Sequence, residues 1–205
     1  MAAKKESTFI NMVLVLFIIT LIASAALGAV YEITKEPIAK AKLEKKLNAI
    51  KEVVPDFTNN PSDEMYKVGV NDKDTLEFYP AKKDGKLVGT AVKTFTTNGF
   101  SGYIWLMVGF EPDGTIHNYS VLEHKETPGL GSKMTNWFKP TDPAKAKASV
   151  LDKNPGATNF TVSKDGGDID AITAATISSR AFLDAVQTAY KEYMKNQKEG
   201  GNSNE

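Results

Sequence analysis

Cysteine is absent from the 205-residue chain. That excludes disulfides, thiolate zinc sites, cysteine nucleophiles and cysteine-ligated iron–sulfur clusters together. Histidine is nearly absent. His117 and His124 are the two in the chain, and their spacing is not the i, i+4 pairing of a helical metal site, so no metal or haem centre is expected. Net charge is also missing: 25 basic residues balance 25 acidic ones. The lysines are dispersed, which leaves no electrostatic footprint for nucleic acid. Any redox chemistry must therefore come from a cofactor of another kind. At 22.3 kDa with 41% hydrophobic residues, the chain has enough apolar material for one ordinary core and little room for a second domain.

What the chain does have is a long uncharged apolar run at its N-terminus. Residues 8–31 carry no ionisable side chain except Tyr31, and about 20 apolar residues suffice to cross a hydrocarbon core of about 30 Å as a helix. The run reads as a transmembrane helix preceded by a cytoplasmic segment, 1–7. A cleaved signal peptide competes, because Lys4 and Lys5 form a basic n-region and Ala23-Ser24-Ala25 is a small-residue cleavage pattern. The apolar run continues through Leu27, Ala29 and Val30, beyond the h-region of such a peptide, and this favours a retained anchor. Both readings export the remainder of the chain. Lys35, Lys40, Lys42, Lys45 and Lys46 outnumber Lys4 and Lys5, but long segments translocate largely regardless of charge. The expected location is the cytoplasmic membrane, with the C-terminal domain outside the cytoplasm.

After Pro37, the residues Ile38, Leu43, Leu47, Ile50 and Val54 recur at roughly helical spacing among lysines and glutamates. This predicts a helical stalk over 32–57. Asn59-Asn60-Pro61 marks a loop at the start of the domain proper, 58–197. Strand-like runs succeed it at 76–79, 86–95, 103–110 and 115–122, with Asp84-Gly85 and Asp113-Gly114 as turn signals between neighbours. A short helix is expected at 144–151, a further strand at 159–163, and a last helix from about Ser178. That helix places Phe182, Val186, Ala189 and Tyr193 on one face. The tail, 198–205, is expected to be disordered. The fold class is α+β: one transmembrane helix, then a soluble domain with a mainly antiparallel sheet and flanking helices.

Two loops carry residues suited to chemistry. In the first, Glu126-Thr127-Pro128-Gly129-Leu130-Gly131-Ser132-Lys133, two glycines and a proline set a tight path. They leave backbone N–H groups open to a planar or anionic ligand. A turn needing those conformations has the same composition. The second is Asp168-Ile169-Asp170-Ala171-Ile172-Thr173-Ala174-Ala175-Thr176-Ile177-Ser178-Ser179. Its hydroxyls stand beside a helix N-terminus, which favours phosphate through free N–H groups and the helix dipole. Plain N-capping by a Ser/Thr cluster explains the same residues.

Together the two loops resemble the FMN-binding domain shared by the G subunit of the Rnf electron-transport complex and the C subunit of the sodium-translocating NADH:quinone oxidoreductase. In that family a flavin transferase recognises Asp, two free positions, Ser or Thr, usually Gly, then Ala and Thr or Ser. Here the pattern reads Asp170, Ala171, Ile172, Thr173, Ala174, Ala175, Thr176. The resemblance implies that Thr176 carries FMN through a phosphoester bond, and that Asp170, Thr173, Ala174 and Ala175 form the recognition sequence. Ala174 departs from the pattern, since glycine is usual there. The 126–131 run, Ser101-Gly102-Tyr103 and Trp137 also match, so the likeness covers nearly the whole chain. The short interval between anchor and Ser101 resembles the Rnf G subunit more than the quinone reductase's C subunit.

The resemblance further implies a flavin that relays electrons between ferredoxin-side and NAD-side partners in an ion-translocating membrane complex. Other subunits of that complex, a flavin transferase and membrane lipid are the implied partners. Residues 126–133 are expected to line the flavin: Glu126 bonds the ribityl chain or simply caps the loop, Lys133 offsets phosphate charge or is a surface lysine, and Tyr103 or Trp137 packs near the ring or belongs to the core. No acid–base pair or activated nucleophile for an independent catalytic site is evident. The C subunit of the quinone reductase and a non-redox exported interaction module stay open as alternatives.

Overall fold

The computed structural model describes residues 8–70 and 74–201. The expected cytoplasmic segment, 1–7, and the last four residues of the expected tail lie outside them. The first element, α1, is Phe9–Val53 and retains Pro37 within it. Its N-terminal part is long and apolar enough to cross a membrane. One compact unit ends at Glu44 and a second begins at Lys45.

The second unit is built on a five-stranded antiparallel meander in the order β1-β2-β3-β4-β5. The strands are β1 Tyr66–Gly69, β2 Thr75–Lys83, β3 Lys86–Gly99, β4 Gly102–Phe110 and β5 Ile116–His124. Every connection between neighbours is short, as a meander requires. The β2–β3 turn places Asp84 at φ 52° and Gly85 at φ 78°, the left-handed pair whose twist matches that of the flanking strands.

Alternation along the strands divides the core in two. Ile104, Leu106, Val108 and Phe110 of β4 face the larger cluster together with Leu76, Phe78 and Val92, whereas Met107 faces the smaller one with Tyr79, Ala81 and Ala91. After a single-turn helix, α2 Met134–Trp137, the last helix, α3 Thr176–Gly201, covers the first face with Phe182, Val186, Ala189 and Tyr193, all buried. Phe182 stacks on Phe138 at 4.3 Å between ring centroids and meets Tyr119 edge-on at 4.8 Å. Two buried threonines of β3 find acceptors on α3: Thr94 donates to the Ala185 carbonyl at 3.1 Å and Thr96 to Asp184 at 2.9 Å. Their pairing removes the desolvation cost that would otherwise oppose packing helix on sheet.

On the other face, Ala49, Ile50, Val53 and Val54 at the C-terminal end of α1 pack on the smaller cluster. Gly109 makes the close approach possible, since a Cβ there would lie 1.7 Å from the Val53 carbonyl oxygen. Of the apolar positions expected to form the stalk's face, Ile50 and Val54 are buried and Ile38 and Leu43 are exposed. The residues that pack are Ala49 and Ile50, then Val53 and Val54, at i, i+1, i+4 and i+5.

Three local expectations are revised. Residues 144–151 form a 3-10 turn, Pro143–Ala148, in which Pro143 starts the turn and the Asp142 side chain caps the Ala144 N–H. Residues 159–163 give an isolated parallel bridge, Val162 to Ile169, because the 3-10 turn Ser163–Asp165 ends the extended run directly after Val162. The tail begins later than expected, since α3 runs to Gly201.

Candidate functional site

Thr176 opens α3, and its local geometry is set by a knot of hydrogen bonds around Ser179. That fully buried side chain accepts from the Ile172 N–H at 2.9 Å and donates to the Ala175 carbonyl at 2.9 Å. The Ala175 N–H closes the same turn on the Ile172 carbonyl at 3.0 Å. Between them, Ala174 takes φ 61°, a left-handed conformation that strains any residue with a Cβ. The glycine usual at this position of the flavin-transfer pattern thus has a conformational reason as well as a steric one. Asp170, at the head of the pattern, accepts from the Ser163 hydroxyl at 2.6 Å, and its carbonyl accepts from Trp137 Nε1 at 3.0 Å. Thr173 is exposed.

The glycine-rich loop is seated against this turn. Glu126 is only 4% exposed; its Oε1 accepts from the Ser101 N–H at 2.8 Å and its Oε2 accepts from the buried Ser178 hydroxyl. One carboxyl group therefore joins the β3–β4 turn, the loop after β5 and the first turn of α3. Gly131 sits where nothing larger fits, since a Cβ would come within 2.4 Å of Ser178 Oγ and 2.7 Å of Glu126 Oε2. The rest of the loop is held by its own bonds: Thr127 O accepts from the N–H groups of Leu130 and Ser132, and Gly129 N–H donates to Ser132 Oγ at 2.9 Å.

These elements enclose a cleft of about 300 Å³ lined by Glu126, Thr127, Leu130 and Gly131 from the loop, by residues 174–178, and by Phe100. The structure thus brings Ala174, Ala175 and Thr176 together with half of the expected flavin loop. Pro128, Gly129 and Ser132 do not line this cleft, and Lys133 lines a separate depression with Asn136, Trp137 and Lys139. Tyr103 lies on the opposite face of the sheet, stacked beside Trp105 at 6.3 Å between centroids. The aromatic side chain at the cleft is Phe100.

Phe100, Leu130 and Ile177 are 67%, 39% and 48% exposed and all border the cleft. Large apolar side chains gathered around one hydroxyl in this way suit a planar aromatic ligand. Lys164 adds charge, its Nζ lying 3.4 Å from Thr176 Oγ1. Apolar walls, close backbone approach and a cation beside the hydroxyl together fit a flavin ring with its phosphate.

A family model for the FMN-binding domain matches residues 99–191, an interval that contains Phe100, both loops and Thr176. Similarity extends well beyond it. The G subunit of an ion-translocating oxidoreductase complex from Aliivibrio fischeri strain MJ11 is 34% identical, over 91% of this chain and 90% of the relative. The chain belongs to the family of G subunits of ion-translocating oxidoreductase complexes. The corresponding G subunit of Vibrio cholerae is 31% identical over 86% of each chain. The G subunit of the Na(+)-translocating ferredoxin:NAD(+) oxidoreductase complex of Acetobacterium woodii is 30% identical over 88% of this chain and 89% of its own. Thr176 stood in the sequence pattern on which the resemblance rests. Phe100 and Lys164 carried no comparable signal, since only folding brings the first to the cleft and the second to the Thr176 hydroxyl.

Proposed function

We propose that this chain is the electron-transfer subunit of a membrane-bound, Rnf-type oxidoreductase complex and carries FMN covalently on Thr176 through its phosphate. The observation that carries the reading is the position of the Thr176 hydroxyl, in the first turn of α3 at a cleft walled by Phe100, Leu130 and Ile177. When bound, the flavin supplies one- and two-electron transfer, which no side chain of this cysteine-free chain provides.

The residues divide the work of holding it. Thr176 Oγ1 is the ester oxygen, and attachment there prevents loss of the cofactor outside the cell. Phe100, Leu130 and Ile177 pack on the ring and keep water from it. Gly131 lets the loop backbone approach, while Glu126 fixes the loop against α3 through Ser101 and Ser178 and, at the edge of the cleft, keeps acceptor capacity for the ribityl chain. Asp170, Thr173, Ala174 and Ala175 form the sequence that a flavin transferase recognises.

The N-terminal part of α1 anchors the chain in the lipid of the cytoplasmic membrane, with the FMN-binding domain outside the cytoplasm. Electrons pass between ferredoxin-side and NAD-side subunits, as the name of the Acetobacterium relative implies for its own complex. The test is a denaturing gel of full-length protein co-expressed with a flavin transferase and viewed under ultraviolet light. Fluorescence travels with the wild-type band and is lost in Thr176→Ala; a dark wild-type band contradicts the reading.

A further inference from the structure

The segment before the attachment loop is fixed more firmly than a surface connection requires. Its 3-10 turn, Ser163–Asp165, is tied at one end by Ser163, whose hydroxyl donates to Asp170 at 2.6 Å and whose N–H donates to the Ile169 carbonyl at 2.8 Å. At the other end, Arg180 Nε and Nη2 donate to the two oxygens of Asp165 at 2.7 Å each. This parallel fork is the geometry in which arginine holds a carboxylate with most orientation. It also holds the Asp165 carboxyl below its usual range, through the hydrogen bonds and charge of Arg180.

Lys164 stands between these two ties. Asp165, its acidic neighbour, is engaged by Arg180, and among the described residues no carboxylate pairs with the Lys164 ammonium. Its nearest hydrogen-bond partner is Thr176 Oγ1 at 3.4 Å. A cation braced over a neutral hydroxyl gains little, but it gains a full charge-assisted contact once that oxygen carries a phosphate. The other basic residue with a claim, Lys133, faces a different depression.

We propose that Lys164 is the counter-ion of the phosphate borne by Thr176, and that the Asp165–Arg180 fork is the brace that keeps it there. The inference rests on the reading of Thr176 as the attachment site. Lys164 acts as a cofactor-binding residue: it forms no covalent bond to the flavin and would pair with the phosphate beside the N–H groups at the start of α3. A lysine serves as a point charge, so arginine replaces it with little loss, whereas methionine keeps the stem and removes the charge. Asp165→Asn retains the lysine but slackens its brace.

The experiment uses full-length protein co-expressed with a flavin transferase and purified in detergent. Covalent flavin is followed over time by in-gel fluorescence, and the attached phosphate is observed by phosphorus NMR of the folded protein. Lys164→Met slows loading roughly tenfold, Lys164→Glu slows it further, and Lys164→Arg stays near wild type, as expected for one charge-assisted contact. The phosphorus resonance of loaded Lys164→Met moves away from the wild-type position, Asp165→Asn moves it less, and thermal stability of the exposed-site variants is unchanged. A resonance that coincides in wild type and Lys164→Met overturns the proposal, whatever the loading rates. A dark wild-type band, or fluorescence persisting in Thr176→Ala, instead overturns the attachment site itself, so the two failures are distinguishable.

Discussion

The hydroxyl of Ser178 donates to the carboxyl group of Glu126 across 52 residues of sequence, with both side chains buried, at 3% and 4% exposure. Through this contact the glycine-rich loop and the N-terminus of α3 form one wall. Removing the carboxyl in Glu126→Ala strands the Ser101 N–H and the Ser178 hydroxyl. The expected loss is about 1–3 kcal/mol, the cost of leaving buried polar groups unpaired. Glu126→Gln keeps acceptor capacity and loses less. Thermal unfolding of the two variants gives the order; equal stability of Glu126→Ala and wild type contradicts this role.

Gly131→Ala tests the same contact from the other side. Its methyl group meets Ser178 Oγ at 2.4 Å and Glu126 Oε2 at 2.7 Å, distances that force the pair apart. A destabilisation of about 1–3 kcal/mol, typical of overpacking, is expected in chemical denaturation, together with reduced flavin loading.

Ala174→Gly acts in the opposite sense. The φ of 61° at Ala174 costs an alanine about 1 kcal/mol or more, and glycine returns part of that through its freer unfolded chain. A net gain of about 0.5 kcal/mol is expected, with flavin loading at least as fast as wild type. A lower denaturation midpoint shows that the alanine methyl is serving the fold.

Glu77 makes stability depend on pH. Burial raises its pKa, but hydrogen bonds from Tyr79 and Lys93 and the charges of Lys93 and Lys46 outweigh this and leave the carboxyl below its usual range. A depressed folded pKa contributes stability above the unfolded value of about 4.3, which is lost as pH falls through the folded value. Wild type should therefore exceed Glu77→Gln by about 1 kcal/mol near neutrality. The gap should close in acid, as melting temperatures of both proteins across pH 3–8 will show. A gap that widens in acid has the wrong sign for this network.

Much of the fold was legible because it follows from local patterning. Strands β2 to β5 announced themselves by apolar alternation and Asp-Gly turns, and the buried face of α3 by its spacing. Strand β1 was not, since Tyr66–Gly69 is a short edge strand with one partly buried residue and no alternation to read. A run of alanine and lysine looked helical at 144–151, where the side chains lack an apolar face to hold a full helix. The site divides in the same way. Thr176 and Gly131 stood in readable motifs. Phe100 reaches the cleft from a hairpin tip and Lys164 meets the Thr176 hydroxyl beside an Asp165–Arg180 pair, which are relationships in space that spacing along the chain does not encode.

The central claim is the bond at Thr176, and peptide mapping by mass spectrometry of the flavin-loaded, full-length protein tests it most directly. The predicted result is a single peptide spanning Thr173 and Thr176 that carries the mass of FMN less water, with fragmentation placing it on Thr176 and Thr173→Ala leaving it in place. Modification on Thr173, or a loaded protein whose flavin is released on denaturation, contradicts the account.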